Sequence, residues 1–121
     1  MKINSYKELV LWQRAVELTV EIYQVIRKLP KEEMYALASQ MRRAAVSIPS
    51  NIAEGHGRNT TKEFIQFLYI ARGSKSELET QLEICKKLEY LKNADIKKSC
   101  DLADEVGKII NSMIKKLNAR C

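Results

Sequence analysis

An all-α fold of four helices in a single domain, residues 1–121, is what the sequence predicts, and three observations carry it. Only four glycines and two prolines interrupt 121 residues, whereas sheet proteins need turn residues often. Apolar residues recur at alternating spacings of three and four through four separate stretches, which puts them on one side of a helix. Each stretch is bounded by capping residues or by proline and glycine. A chain of this length buries a real core, and 45 % apolar with 30 % charged residues is a globular balance.

The first helix is expected from Ser5 to Leu29. Ser5 and Glu8 have the spacing of a capping box. Leu11, Ala15, Leu18, Ile22, Val25 and Leu29 form one seam, and Leu9, Trp12, Val16, Val20, Tyr23 and Ile26 form a second beside it. Pro30 ends the helix, because the residue before proline avoids the helical region. The second helix is expected between Lys31 and Glu54, with Met34, Leu37, Met41, Ala45, Ile48 and Ile52 as its stripe. Pro49 lies inside that stripe, removes a backbone donor and predicts a kink. Gly55-His56-Gly57 closes the helix, where glycine takes the left-handed conformation readily.

Thr60 and Glu63 mark a second capping box, and the third helix is expected to run to Leu91. The small run Ala71-Arg72-Gly73-Ser74 sits in its middle. A mid-helix glycine costs about 1 kcal/mol against alanine, so another helix backbone is expected close by. Asn93 is the expected cap of the fourth helix, with Asp95 in its first turn. Ile96, Cys100, Ala103, Gly107, Ile110, Ile114 and Leu117 form one stripe, and Leu102, Val106, Ile109 and Met113 form a second. Three short connections make sequential neighbours antiparallel, which predicts an up-down-up-down bundle.

The doubled stripes of the first and fourth helices are wider than one neighbouring helix covers. They leave two readings open: a face covered by further copies of the chain, or a wide face buried inside one copy. Net charge is +6, and residues 92–121 hold seven cations against four acids. That balance suits a polyanion or an acidic partner. The cysteines, Cys85, Cys100 and Cys121, form no CxxC pair, and the first two fall on apolar stripes as small core residues. No signal core follows the start and no apolar run reaches the ~20 residues of a membrane span. A cytoplasmic protein without membrane contact is expected.

Arg43, Ser47, Asn51 and Glu54 lie on one face of the second helix. They suit a ligand, but they equally suit one another and the carbonyl freed by Pro49. With no nucleophile beside them, the structural reading weighs more. His56 is the single histidine and no Glu-x-x-His pattern exists, so neither a metal site nor a cofactor is expected. The candidate nucleic-acid contacts are Arg42, Arg43, Arg58, Lys62, Lys97, Lys98, Lys115 and Lys116. Aromatics are few and mostly in stripes, so contact with the backbone is expected without base stacking.

Three blocks resemble a known family: LVLWQRAVELTVEIY (Leu9–Tyr23), QMRRAAVSIPSNIAEGHGR (Gln40–Arg58) and FLYIARGSKSELETQLEI (Phe67–Ile84). The chain is similar over nearly its whole length to the 23S rRNA intervening-sequence proteins. Ala36 and Glu89 depart from the pattern, standing where relatives carry glycine. The resemblance implies an antiparallel four-helix bundle assembled as a ring-shaped homopentamer, with no catalytic residues. A related branch resembles the accessory variability protein of diversity-generating retroelements, which partners a reverse transcriptase. The expected function is therefore a non-enzymatic homo-oligomeric scaffold binding RNA or a nucleoprotein through repeated basic patches. The alternative is a protein-binding adaptor, for example to a reverse-transcriptase-like partner, without nucleic-acid contact.

Overall fold

The apolar seams become four helices in the computed structural model, which describes residues 5–120: α1 (Val10–Ile26), α2 (Leu37–His56), α3 (Thr61–Lys87) and α4 (Asn93–Asn118). No strand occurs among the described residues. α1 packs on α2 and α4, and α3 packs on α2 and α4, so the four helices close around one core. Leu18, Ile22, Met41, Ile48, Leu68, Leu82 and Ile110 are fully enclosed there. Each such side chain contributes about 1.5–3 kcal/mol relative to exposure.

Helix starts differ from the sequence expectation at α1 and α2. Ser5 accepts a hydrogen bond from the Lys7 N–H at 3.2 Å and holds only a short 3-10 turn, Tyr6–Glu8. Leu9 is then extended, and α1 begins at Val10. After Pro30 a second 3-10 turn covers Lys31–Glu33, and α2 begins six residues later than expected, at Leu37. Met34 is therefore a partly exposed turn residue and not part of the core stripe. α4 is capped by Lys92 instead of Asn93; the Lys92 backbone N–H donates to the Asp95 carboxylate at 2.8 Å.

α2 continues through Pro49. The proline has no N–H, so the carbonyl of Ala45 loses its helical donor. Thr19 of α1 supplies a replacement: its hydroxyl lies 2.9 Å from the Ala45 oxygen and 2.9 Å from its own Ala15 oxygen. A single hydroxyl proton serves both carbonyls, and the first of them is the one proline orphaned.

The close helix contact falls at Gly55, not at Gly73. A Cβ on Gly55 would lie 2.6 Å from Cβ of Phe67, so α2 and α3 meet there with no space for a side chain. Gly73 has nothing within 4 Å of that position. Gly57 caps α2 at φ −83°, so the left-handed conformation expected around His56 does not occur. It occurs instead at Glu89, φ 63°, in the turn after α3. A β-carbon in that region costs about 1–2 kcal/mol, a cost that glycine would not carry.

The two doubled stripes fare differently. On α4, Leu102 and Val106 are buried and Ile109 and Met113 half-buried, so that face is largely enclosed within one chain. On α1, Trp12 and Val16 are half-buried, while Val20 and Tyr23 are 54 % and 44 % exposed.

Candidate nucleic-acid interface

The eight cations named from the sequence separate into two groups near opposite ends of the same helices. From Arg42 to Arg58 along α2 is about 24 Å, and from Lys97 to Lys115 along α4 about 27 Å, at 1.5 Å per residue. Arg42, Arg43, Lys97 and Lys98 lie toward the starts of α2 and α4; Arg58, Lys62, Lys115 and Lys116 lie near the end of α2, the start of α3 and the end of α4.

Around the helix starts most charge is committed. Lys97 pairs with Asp101 at 3.0 Å and Lys98 reaches Glu21 of α1 at 3.7 Å. Arg42 donates to the Met34 carbonyl at 3.2 Å. Lys28 pairs with Asp95 at 2.8 Å, and this bond with the Lys92 N–H holds the Asp95 carboxyl below its ordinary range. Tyr90 donates to Glu33 at 2.8 Å, and the bond raises the phenol's pKa. Arg43 is exposed and has no carboxylate within 4 Å among the described residues.

The other end is built differently. Thr60 caps α3, accepting from the Glu63 N–H at 3.1 Å and donating to its carboxylate at 3.2 Å. Arg58 pairs with Glu54 at 3.2 Å and Glu63 at 3.8 Å, and its guanidinium stacks 4.9 Å from the centre of the Phe67 ring. Those two acids are thereby occupied. Lys62, Lys115 and Lys116 are exposed with no counter-charge within 4 Å among the described residues. Beside them opens a cavity of about 260 Å³ lined by Leu9, His56, Phe64, Met113, Lys116, Leu117 and Arg120. His56 and Phe64 meet edge to face, centroids 5.9 Å apart at 88°. No acid lines this cavity among the described residues.

Sequence reasoning placed Lys116 here but missed Arg120, His56 and Phe64 as members of a common site. The Gly-His-Gly signal was visible; its juxtaposition with the last turn of α4 is tertiary.

The polar ridge of α2 is drawn into the α2–α3 contact. Ser47 Oγ lies 2.9 Å from Ser74 Oγ, and Asn51 Nδ2 donates to the Ser47 carbonyl at 2.8 Å and to its hydroxyl at 2.9 Å. Glu54 turns away to Arg58. Only Arg43 and Ser47 of the ridge line a shallow groove of about 420 Å³, shared with Gln40, Ala44, Ser74 and Glu77. Ser47 is the ridge residue that bonds α3, and the carbonyl freed by Pro49 is satisfied by Thr19, not by the ridge.

No cluster of three or more metal-ligating side chains occurs among the described residues. Cys85 is buried, which pushes its thiol up to about 11, so it stays protonated at neutral pH and is a poor nucleophile. Cys100 is half-buried, more open than its stripe implied, and burial raises its pKa as well. Cys121 lies outside the described residues. No described helix is long and apolar enough to cross a membrane.

The fold and the chain pattern have relatives. A solved structure from Bacteroides thetaiotaomicron, a protein of unknown function from the S23 ribosomal protein family, superposes with a TM-score of 0.81. It is 26 % identical, and the match covers 88 % of this chain and 99 % of that one. No curated protein matches. The profile of the 23S rRNA-intervening sequence proteins matches residues 7–112. With nearly the whole helical framework inside that match, the chain belongs to the 23S rRNA-intervening sequence protein family.

Proposed function

We propose that this protein is a non-enzymatic scaffold that self-associates into a ring, five copies favoured, and binds RNA at the basic end of each bundle. The observation that carries the RNA reading is the pair Lys116 and Arg120 on an apolar cavity formed by three helix ends, with Lys62 in the first turn of α3 and Lys115 and Lys116 near the end of α4 exposed and without counter-charge within 4 Å among the described residues. Three uncompensated cations on rigid helix ends suit phosphate contacts and carry no sequence preference. The family description names 23S rRNA through its intervening sequence. A ring multiplies a weak patch into an avid one.

Self-association is supported by two separate apolar stripes. On α1, Val20 and Tyr23 lie beside α2, since Thr19 reaches the carbonyl of Ala45, and Val46 of α2 is 41 % exposed next to it. On α3, Ile70, Ile84 and Leu88 are 51 %, 42 % and 51 % exposed. Ile70 is one turn from Ser74, which bonds Ser47, so that stripe lies on the other side of α2. Two different faces meeting head to tail generate a closed ring when the rotation fits. An up-down-up-down path is supported by the short connections and by the cavity that joins His56, Phe64 and Lys116 from three helix ends.

Light scattering and an anisotropy titration with labelled RNA test this together. The expected result is a mass of several subunits and an affinity that falls about tenfold or more between 50 and 200 mM salt, as roughly three released counterions require. A monomer removes the ring. A multimer that binds no RNA but retains a protein partner selects the adaptor reading.

A further inference from the structure

Resting on the RNA reading above, we infer that the cavity between His56, Phe64 and the end of α4 receives one unpaired nucleobase, so that the basic end selects single-stranded RNA over duplex. The cavity's volume of about 260 Å³ equals about nine liquid-water volumes, which leaves room for one heterocyclic base. Its body is apolar, through Leu9, Phe64 and Met113, and its rim is cationic, through Lys116 and Arg120. A nucleotide within a strand has this same division: a flat, uncharged base with a phosphate on either side.

The rings of His56 and Phe64 stand perpendicular, 5.9 Å between centroids. A base lying along one ring therefore meets the edge of the other, both favourable aromatic geometries. Lys115, next to Lys116 in sequence, and Lys62, two residues before Phe64, add exposed cations at the same helix ends for more distant phosphates. Glu54 and Glu63, two and one residues from the lining His56 and Phe64, are held by Arg58 and Thr60, while Glu8, next to Leu9, is exposed. A duplex cannot use such a cavity, because its base faces are stacked and only grooves and backbone are presented. The scarcity of aromatics in the sequence argued against base stacking; Phe64 escapes that argument because it sits half-buried at a bundle end and not within the core.

The test uses the full-length protein and three probes of equal length: a single-stranded RNA, the matching duplex, and a single strand whose central nucleotides are abasic. The expected result is a loss of about tenfold for both the duplex and the abasic strand, the scale of one stacked base. A 2-aminopurine placed centrally in the single strand is expected to change emission on binding. Phe64→Leu is expected to abolish the preference while keeping the salt dependence, and Lys116→Gln to weaken binding and make that dependence shallower. Equal affinity for all three probes with a silent 2-aminopurine overturns the inference and leaves the RNA reading standing. No affinity for any probe overturns both.

Discussion

The two ends of the bundle carry similar cations and pair different ones; at the first, Arg27, Lys31 and Arg43 stay exposed without a counter-charge within 4 Å among the described residues, while the lysines at the start of α4 are paired. Where α4 starts, Lys28, Lys97 and Lys98 are paired with Asp95, Asp101 and Glu21, and Tyr90 is tied to Glu33. Where α4 ends, Lys115 and Lys116 have no counter-charge within 4 Å among the described residues, and Lys116 lines an open apolar cavity. The difference teaches that the number of lysines at a surface says little about binding. What matters is whether the fold supplies each with a carboxylate, and exposed pairs, worth about 0–1 kcal/mol, still remove a cation from reach of a phosphate.

The largest effect is expected at the open end, where α2 and α3 come closest at Gly55. Gly55→Val forces a side chain into the 2.6 Å contact with Phe67. A loss of about 3 kcal/mol in denaturant unfolding is expected, with the cavity disrupted. Wild-type stability would show that α2 and α3 are not this close. Midway between the ends, Thr19→Val leaves the Ala45 carbonyl without its donor, at a cost of about 1–3 kcal/mol. Adding Pro49→Ala to that variant restores an N–H and is expected to recover part of the loss, a coupling that a double-mutant cycle measures.

Gly73→Ala, at an open position of α3, is expected to stabilise by about 1 kcal/mol. The two glycines thus move stability in opposite directions, read from the same unfolding midpoint. The smallest effect belongs to the sealed end. Asp95 has a lowered folded pKa, chiefly through Lys28, so its contribution is present above the ordinary carboxylate range. It is lost as pH falls through the lowered value. Asp95→Asn is expected to flatten the stability profile over that acidic interval, and an unchanged profile would mean that the Lys28 bond is not formed in solution.

Four helices and most of the core stripes of α1, α2 and α4 were legible because alternating spacings of three and four report burial directly. The first seam of α1 is buried throughout. Starts were less legible, because Ser5 and Lys31 satisfy local rules that short 3-10 turns also satisfy. The roles of the glycines were not legible: a helical glycine looks alike in sequence whether a neighbour's Cβ is 2.6 Å away, as at Gly55, or space is empty, as at Gly73. The pairing of Lys97 with Asp101 was readable from a four-residue offset. Lys98 with Glu21 was not, since it joins residues from two different helices. The basic end likewise needed three helix termini to converge.

The most direct measurement is the RNA affinity of two double variants in the same assay, Lys115→Glu with Lys116→Glu, and Lys97→Glu with Lys98→Glu. The open-end pair is expected to lose about tenfold or more and to show a shallower salt slope, while the sealed-end pair stays within about twofold of wild type. Equal losses from both pairs, or a greater loss from the sealed end, would contradict the claim that unpaired cations at one end of the bundle carry the binding.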